Sequence, residues 1–573
     1  MIRKVELGSV NNNNEPLKNR MGQKHTANPN FTGLGDVALK MVQTCEANPM
    51  VNVSVLDLST AILPRTFFET FIGSKKKDEN GQEKRHLNLF GGFEAFRRES
   101  SGLIINCLIP SFIVMGVAKL LNRPIMGGFN KSDLTKSWAN SETIDNIQKY
   151  FKAATDVKPE DKVYSTLKNM IVDLKGVDGD KEKAFKDILA NDEKFDEILR
   201  KTADNIVHGT KEEKASNGKG LKKLFHIKSY KKYTDDLYHY VVGKTGIAEN
   251  IKFGGETKFS TSSLSHLLNS AGEMLSGVSK ENIVLDNDKA LKYFSKAKKL
   301  VNGKSAIGLL GFIIPLAISA QPINRWITHK LSGKSGAPIY NDDKDRHLTP
   351  DEKKKLTAQK FFAVPLMWGV AGLSMLLDRP SLKMFQFKNI FPTMDQARII
   401  SAATFSSRIA AAEDSNELKE NTIRDIATFS SFYFLGDYAA KGIATLLQKL
   451  TGVQLINKLK ESDPKANPAQ KFWNWAKHTT MKSTDELNAA ADKALRHKGV
   501  VLRSFCQLGN LAFSLLALGI FIPLYTRTQT NKKQKELAQK EAMANAASAS
   551  FTSKLSQSPA FKAFMLDKNQ KVA

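Results

Sequence analysis

The apolar positions of this chain gather into long runs separated by lysine-rich stretches. From 100 to 118 no charged residue occurs, and Leu103, Ile104, Ile105, Leu108, Ile109, Phe112, Ile113, Val114 and Val117 dominate. Arg97 and Arg98 flank one end, Lys119 and Arg123 the other. At 1.5 Å per residue, a helix over this run is about as long as the hydrocarbon core of a bilayer is thick, about 30 Å. The stretches 305–324, 361–377 and 504–525 are also uncharged. A fifth run, 426–447, is weaker because it carries Asp437 and Lys441. A water-facing helix shows a polar face every 3.6 residues, and the uncharged runs show almost none. Core helices of a large soluble protein are the competing explanation. Several such runs, each bounded by Lys or Arg, favour membrane segments.

Elsewhere the periodicity is that of soluble helices. Ile144, Ile147, Tyr150 and Phe151 share a helical face, as do Phe185, Ile188 and Leu189, then Phe195, Ile198 and Leu199. Ala290, Leu291, Phe294, Ala297 and Leu300 form another stripe. The pattern predicts an all-α fold, a multi-segment helical membrane protein with inserted soluble helical domains. Residues 1–30 read as a disordered arm and 31–99 as a region of short helices, with Pro64 interrupting. Membrane segments at 100–118, 305–324, 361–377, 504–525 and, less firmly, 426–447 follow. Basic soluble pieces occupy 129–304 and 450–503, and 526–573 reads as a disordered tail. Within 450–503, Asn467 before Pro468 and Ser483 with Glu486 are helix-start signals, and Gly499 is a stop.

Each uncharged run contains proline: Pro110, Pro315 with Pro322, Pro365 and Pro523. Neighbouring helices satisfy the freed carbonyls in a membrane bundle. The strings around Pro315 and Pro523 resemble each other, as do those ending at Pro124 and Pro380. Chance among Leu, Ile and Gly is the simpler account of such short matches. Orientation stays open. Basic flanks place 325–360 and 449–503 in the cytoplasm and 378–425 outside, which leaves the basic tail outside as well. Met1 to Arg20 has no apolar core of a cleavable signal peptide, so an internal segment is expected to direct insertion.

Composition adds a formal charge of +27, from 85 Lys and Arg against 58 Asp and Glu. The expected partners are therefore anionic: the lipid bilayer, anionic lipid or a protein partner, with nucleic acid disfavoured in a chain that has spans. Cys45, Cys107 and Cys506 lie far apart and form no CxxC pair, so neither a disulfide framework nor a zinc knuckle is supported.

Two groups of residues stand out as candidate chemistry. Asp437 and Lys441, at i and i+4, share one helix face inside a candidate span, where ionisable groups are costly and by default functional. An ordinary interfacial salt bridge is the simpler alternative. The segment 211–233 holds eight lysines against two glutamates. Lys219, Lys222, Lys223, Lys228, Lys231 and Lys232 are its candidate contacts to an anionic surface, with Phe225, Tyr230 and Tyr233 interleaved. A solvated charged helix explains them equally simply.

The remaining patterns fail on inspection. Asn341, Asp343, Asp345 and Glu352 have calcium-loop spacing, but Arg346 stands where the turn needs glycine. Thr349 to Glu352 fits a helix cap better. Gly243-Lys244-Thr245 lacks the upstream glycine of a P-loop, where Tyr238 stands. Trp473 and Trp475, with Lys471 and Lys477, suit either a headgroup layer or buried anchors. No catalytic residue, metal ligand or cofactor is assigned, and a small-molecule substrate stays unknown. The expected function is a non-enzymatic scaffold or organiser docking anionic lipid or a partner. The alternatives are a transporter or channel-like protein using Asp437 and Lys441, and a soluble nucleic-acid-binding protein.

Overall fold

Helices account for nearly all of the regular structure. The computed structural model describes residues 49–72, 87–121, 139–209, 231–259, 263–333, 348–377, 392–461, 465–490 and 492–522, two short strands at 75–77 and 83–85, and scattered single positions. The arm 1–30 and nearly all of the tail 526–573 lie outside the described residues. The described residues belong to one unit of the chain, Val42–Ala573.

The first helix, α1, runs over 49–72 and is followed by a small hairpin of β1 (Lys75–Lys77) and β2 (Glu83–Arg85). Then comes α2 (Leu89–Leu121), the first of four helices among the described residues that are long and apolar enough to cross a membrane. A folded body follows: α3 (Ser141–Ala153), α4 (Pro159–Val172), β3 (Leu174–Asp178), β4 (Lys181–Ala184), α5 (Phe185–Leu189), α6 (Glu193–His208), α7 (Lys231–Thr245), β5 (Lys252–Phe253) and α8 (Leu264–Lys280). Its strands form one antiparallel sheet in the order β4-β3-β5. Ile144, Phe151, Phe185, Phe195, Leu199 and Phe294 fill the core, all fully buried.

The chain returns through α9 (Asn287–Leu331) and α10 (Pro350–Leu377), which complete three of the four apolar helices. Next come α11 (Met394–Ala410) and α12, continuous over 415–451. A second extramembrane piece holds β6 (Ile456–Lys458), α13 (Pro468–His478), β7 (Thr479–Met481) and α14 (Thr484–Asn488). The last apolar helix is α15 (Ala494–Phe521). At most a third of each apolar window is covered by protein, and Leu108, Phe312, Leu366 and Phe521 are exposed. An outer surface of this kind is soluble in hydrocarbon, not in water. The chain is a multi-pass helical integral membrane protein.

Side-chain contacts fix how the helices run past one another. Arg65 Nη1 meets Glu99 Oε1 at 2.5 Å and the Thr70 carbonyl accepts from Asn88, so α1 and α2 are antiparallel. Ser101 bonds Asn324 at 3.1 Å while Gly303 sits against Leu121, so α2 and α9 are antiparallel too. In α11 and α12, Arg408 meets Asp425 at 3.1 Å and Ser401 meets Tyr433 at 2.7 Å. In α12 and α15, Asp437 meets Asn510 and Thr451 meets Lys498. Gln386, in the link between α10 and α11, bonds Ser141 and Asn302 of the folded body. The two extramembrane pieces therefore gather at one end of the bundle, and the connection around Gly333 lies at the other.

Those pieces are joined to each other. Lys458 donates to the Gly179 carbonyl at 2.5 Å, and Asn457 accepts from the Gly179 amide at 2.8 Å. The turn needs glycine, because Gly179 has φ +70°. Lys482 pairs with Asp178 at 2.5 Å, and Glu486 accepts from the amides of Ala248 and Glu249 at 3.0 Å each.

Prolines shape the bundle. Widened π turns occupy Asp57–Ile62, Ile104–Leu108, Ile307–Ile313 and Leu515–Phe521. Each lies just before a proline in the sequence, namely Pro64, Pro110, Pro315 and Pro523. Proline lacks an N–H and collides with the carbonyl four residues back; a wider turn moves that carbonyl aside. This is why Pro64 does not interrupt α1, contrary to the expectation from sequence. Gly499 likewise does not stop a helix. It lies within α15, where its missing side chain admits Leu487.

Candidate functional site: a polar core along α11

Helix α11 lies inside the bundle, in a stretch that the sequence suggested was only a connection. Its residues are small or polar, and Gln396, Arg398, Ser401, Thr404, Ser406 and Ser407 are all buried. Thr393 and Gln396 form a capping box that starts the helix at the folded-body end. From there a file of polar contacts runs its length.

Arg398 comes first, only 2% exposed. Its Nη1 donates to Asp395 at 2.9 Å and its Nη2 to the Tyr433 carbonyl at 2.9 Å. That carbonyl is available because Ser431–Leu435 is another widened turn, and a side chain inserted into the helical ladder is a known cause of such widening. One turn on, Ser401 and the Tyr433 hydroxyl bond at 2.7 Å. Thr404 donates to Asn106 at 2.9 Å, and Ser407 to the Ile318 carbonyl.

The file ends in an ionic cluster. Asp425, 1% exposed, accepts from Arg408 at 3.1 Å and Arg424 at 3.2 Å. Arg408 also reaches Glu99 at 3.9 Å, and Glu99 pairs with Arg65. Glu94, 1% exposed, holds Arg97 at 2.7 Å and accepts from Thr328. Arg325 pairs with Glu413 at 2.6 Å and with Glu417. A small cleft of about 50 Å³, partly open to solvent, lies among these groups. Arg65, Arg98, Arg408 and Arg424 line it beside Glu69, Glu94, Glu99 and Glu417, so its formal charge is balanced. Asn421, also in the lining, has a buried Nδ2 without a partner, as does Asp425 at Oδ2. Such orphaned atoms inside a site mark places where a guest or water is accommodated.

Depth can be estimated from the helices. With Ile109, the middle of the uncharged run 100–118, as the midplane, Asn106, Thr404, Ser401 and Tyr433 lie within about one or two turns of it. Arg408 and Arg424 lie about 10–13 Å towards the end remote from the folded body. The arrangement is a polar track from mid-bilayer to a charged cleft near one surface.

The residues singled out from sequence fall elsewhere. Asp437 stands on the outer side of α12, its Oδ1 3.4 Å from Asn510. Lys441 donates to the Ala476 carbonyl at 2.8 Å and lies over the rings of Tyr438 and Trp475. Neither lines the cleft. Lys219, Lys222, Lys223 and Lys228 lie outside the described residues; Lys231 and Lys232 open α7. Lys244 ends that helix paired with Asp192 at 2.9 Å, and Thr349 and Glu352 cap α10. Among the described residues no group of His, Cys, Asp and Glu is placed to hold a metal ion. The α11 track was missed because it has no long apolar run. The signal available was Arg398 and Arg408 at a spacing of about three turns on a Ser/Thr/Ala-rich segment.

Compared with known protein families, curated proteins and solved structures, the chain matches none.

Proposed function

We propose that this integral membrane protein moves a small polar or charged solute through the core of its helix bundle, with α11 lining the path. The observation that carries this reading is the buried polar file from Arg398 through Ser401, Tyr433 and Thr404 to Arg408. Stability alone does not call for it. Replacing buried ion pairs by well-packed apolar residues is often neutral or stabilising by about 1–4 kcal/mol. Ionisable groups inside spans mark solute and ion pathways by default. The balanced charge of the cleft suits a zwitterion, or an ion travelling with its counter-ion, better than a bare anion. In this reading Asp437 and Lys441 belong to the helix flanking the path.

The test is electrical and by uptake. Proteoliposomes on a solid-supported membrane receive concentration jumps of potassium chloride, sodium phosphate and glycine, with isotope uptake measured in parallel. Flux of at least one solute is expected, with a loss of tenfold or more in Arg398→Met, about the 1.4 kcal/mol that a charged hydrogen bond supplies. No flux of any of them in correctly inserted protein would remove the proposal. The organiser reading has one support of its own, the folded body assembled from two separate chain segments at one end of the bundle. It predicts that Arg398→Met leaves the protein's cellular role intact.

A further inference from the structure

We infer that α13 is an interfacial anchor lying in the headgroup layer of the leaflet on the folded-body side, and that its partner there is anionic phospholipid. The inference does not depend on the transport reading. Asn467 caps α13 in a capping box and Pro468 opens it, so its start is fixed independently of packing. One face is held to the bundle: Ala476 is buried, Trp475 Nε1 donates to Thr445 Oγ1 at 3.2 Å, and Lys441 reaches the Ala476 carbonyl. Phe472 and Trp473 lie on the same aromatic side of the helix, next to Trp475 and Ala476, yet stay 63% and 44% exposed. Lys471 flanks them, and Lys477 lies 5.9 Å over the Trp473 ring.

Depth makes this face meaningful. Tyr433 lies near the midplane, and Thr445 is about 18 Å further along α12 at 1.5 Å per residue. Half the hydrocarbon core is about 15 Å. The contact that pins α13 therefore sits just past the hydrocarbon edge, the level at which Trp and Lys collect. The exposed apolar surface of α12 continues to this level through Leu446, 57% exposed. A helix with aromatic side chains on one side and lysines along its flanks lies in the plane of such an interface. The charge selects the lipid: no acidic residue occurs between Asp463 and Asp485, while Lys465, Lys471 and Lys477 do, and Lys482 in the same stretch is taken up by Asp178. An anionic headgroup complements that surface.

The test uses the full chain in vesicles of phosphatidylcholine with phosphatidylserine. A spin label is placed at Trp473→Cys in a Cys45→Ser background, with Leu108→Cys as the lipid reference and Leu285→Cys as the water reference. Power saturation with oxygen and with a water-soluble nickel chelate reads the depth. The label at 473 is expected to be several-fold less accessible to nickel than the one at 285, and Lys471→Glu with Lys477→Glu is expected to remove most of that protection. Nickel accessibility equal to that at 285 would overturn the anchor. Protection that is unchanged both by the lysine reversals and in pure phosphatidylcholine would overturn the assignment of anionic lipid.

Discussion

Asp425→Ala is the most direct probe of the ionic cluster. The carboxylate is 1% exposed and accepts from Arg408 and Arg424, themselves 14% and 15% exposed. Its removal leaves two mostly covered guanidinium groups facing each other with one counter-charge fewer. Breaking a buried pair in this way costs about 3–5 kcal/mol, because the surviving charge is left uncompensated. The contrast is Asp145→Ala, which breaks a 2.7 Å pair with Lys298 whose side chains are 49% and 41% exposed. Exposed pairs are worth about 0–1 kcal/mol. The assay uses the protein's own thiols, since Cys107 and Cys506 are buried and outside any disulfide. A thiol-reactive fluorophore lights up as the detergent-solubilised bundle opens on heating. Asp425→Ala is expected to lower the midpoint by something on the order of 10 °C and Asp145→Ala by little. Adding Arg408→Leu to Asp425→Leu is expected to recover part of the loss. If Asp425→Ala and Asp145→Ala melt together, the cluster is not electrostatically buried and the reasoning fails.

Other expectations follow from single contacts. A side chain at Gly436 meets Asn510 Oδ1 at 2.2 Å and the Ser431 carbonyl at 2.9 Å, so Gly436→Val should cost about 1–3 kcal/mol by overpacking, read in the same thiol assay. Asp178 is pushed up by burial, but hydrogen bonds from Lys183 and Lys482 outweigh this and hold it below its ordinary value of 3.8. Its contribution is therefore present above that value and lost as pH falls through the lowered one. The amide protection factors of β6 and β7, taken relative to intrinsic exchange at each pH, should fall on such acidification in wild type, and should already be lower at neutral pH in Asp178→Asn. Finally, Leu285→Cys and Gly333→Cys should be labelled by an impermeant maleimide from opposite sides of sealed vesicles; labelling from one side would refute the run of helices described above.

The long apolar helices were legible because lipid imposes a rule on sequence: no charge over the length of the core. The folded body was legible for a related reason, since Ile144, Phe151 and Phe294 keep helical spacing on a face that must be buried. Helix starts were legible down to single residues, at Asn467 and Ser483, because a cap is a local bond. Helix α11 obeys neither rule. It is surrounded by helices, not lipid, so its outer surface need not be apolar, and Ser401, Thr404 and Arg408 read as a loop until their partners are known. Those partners come from distant parts of the chain: Asn106 on α2, Tyr433 and Asp425 on α12, Glu99 on α2. No local pattern announces such pairs. Asp437 and Lys441 attracted notice because they were charges inside an apolar run, yet the cleft is built mostly from charges at the ends of runs, such as Glu94, Arg98 and Glu99.

The contact of α1 with α15 has a bearing on how the chain is made. The Thr60 carbonyl and the ring of Pro64 lie against Gly519. At about 5–20 residues per second, synthesis separates these positions by roughly half a minute to a minute and a half. Once α2 has been made, Arg65 has its partner Glu99, but Arg408, Asp425 and the closing helix are still to come. The Arg65–Glu99 clasp and the Glu94–Arg97 pair within α2 are then the parts of the ionic cluster available to shield charge from lipid. An assembly factor that stands in for the missing helices, or a delay in releasing α1 from the insertion machinery, is the natural remedy for a bundle whose two ends must wait for each other.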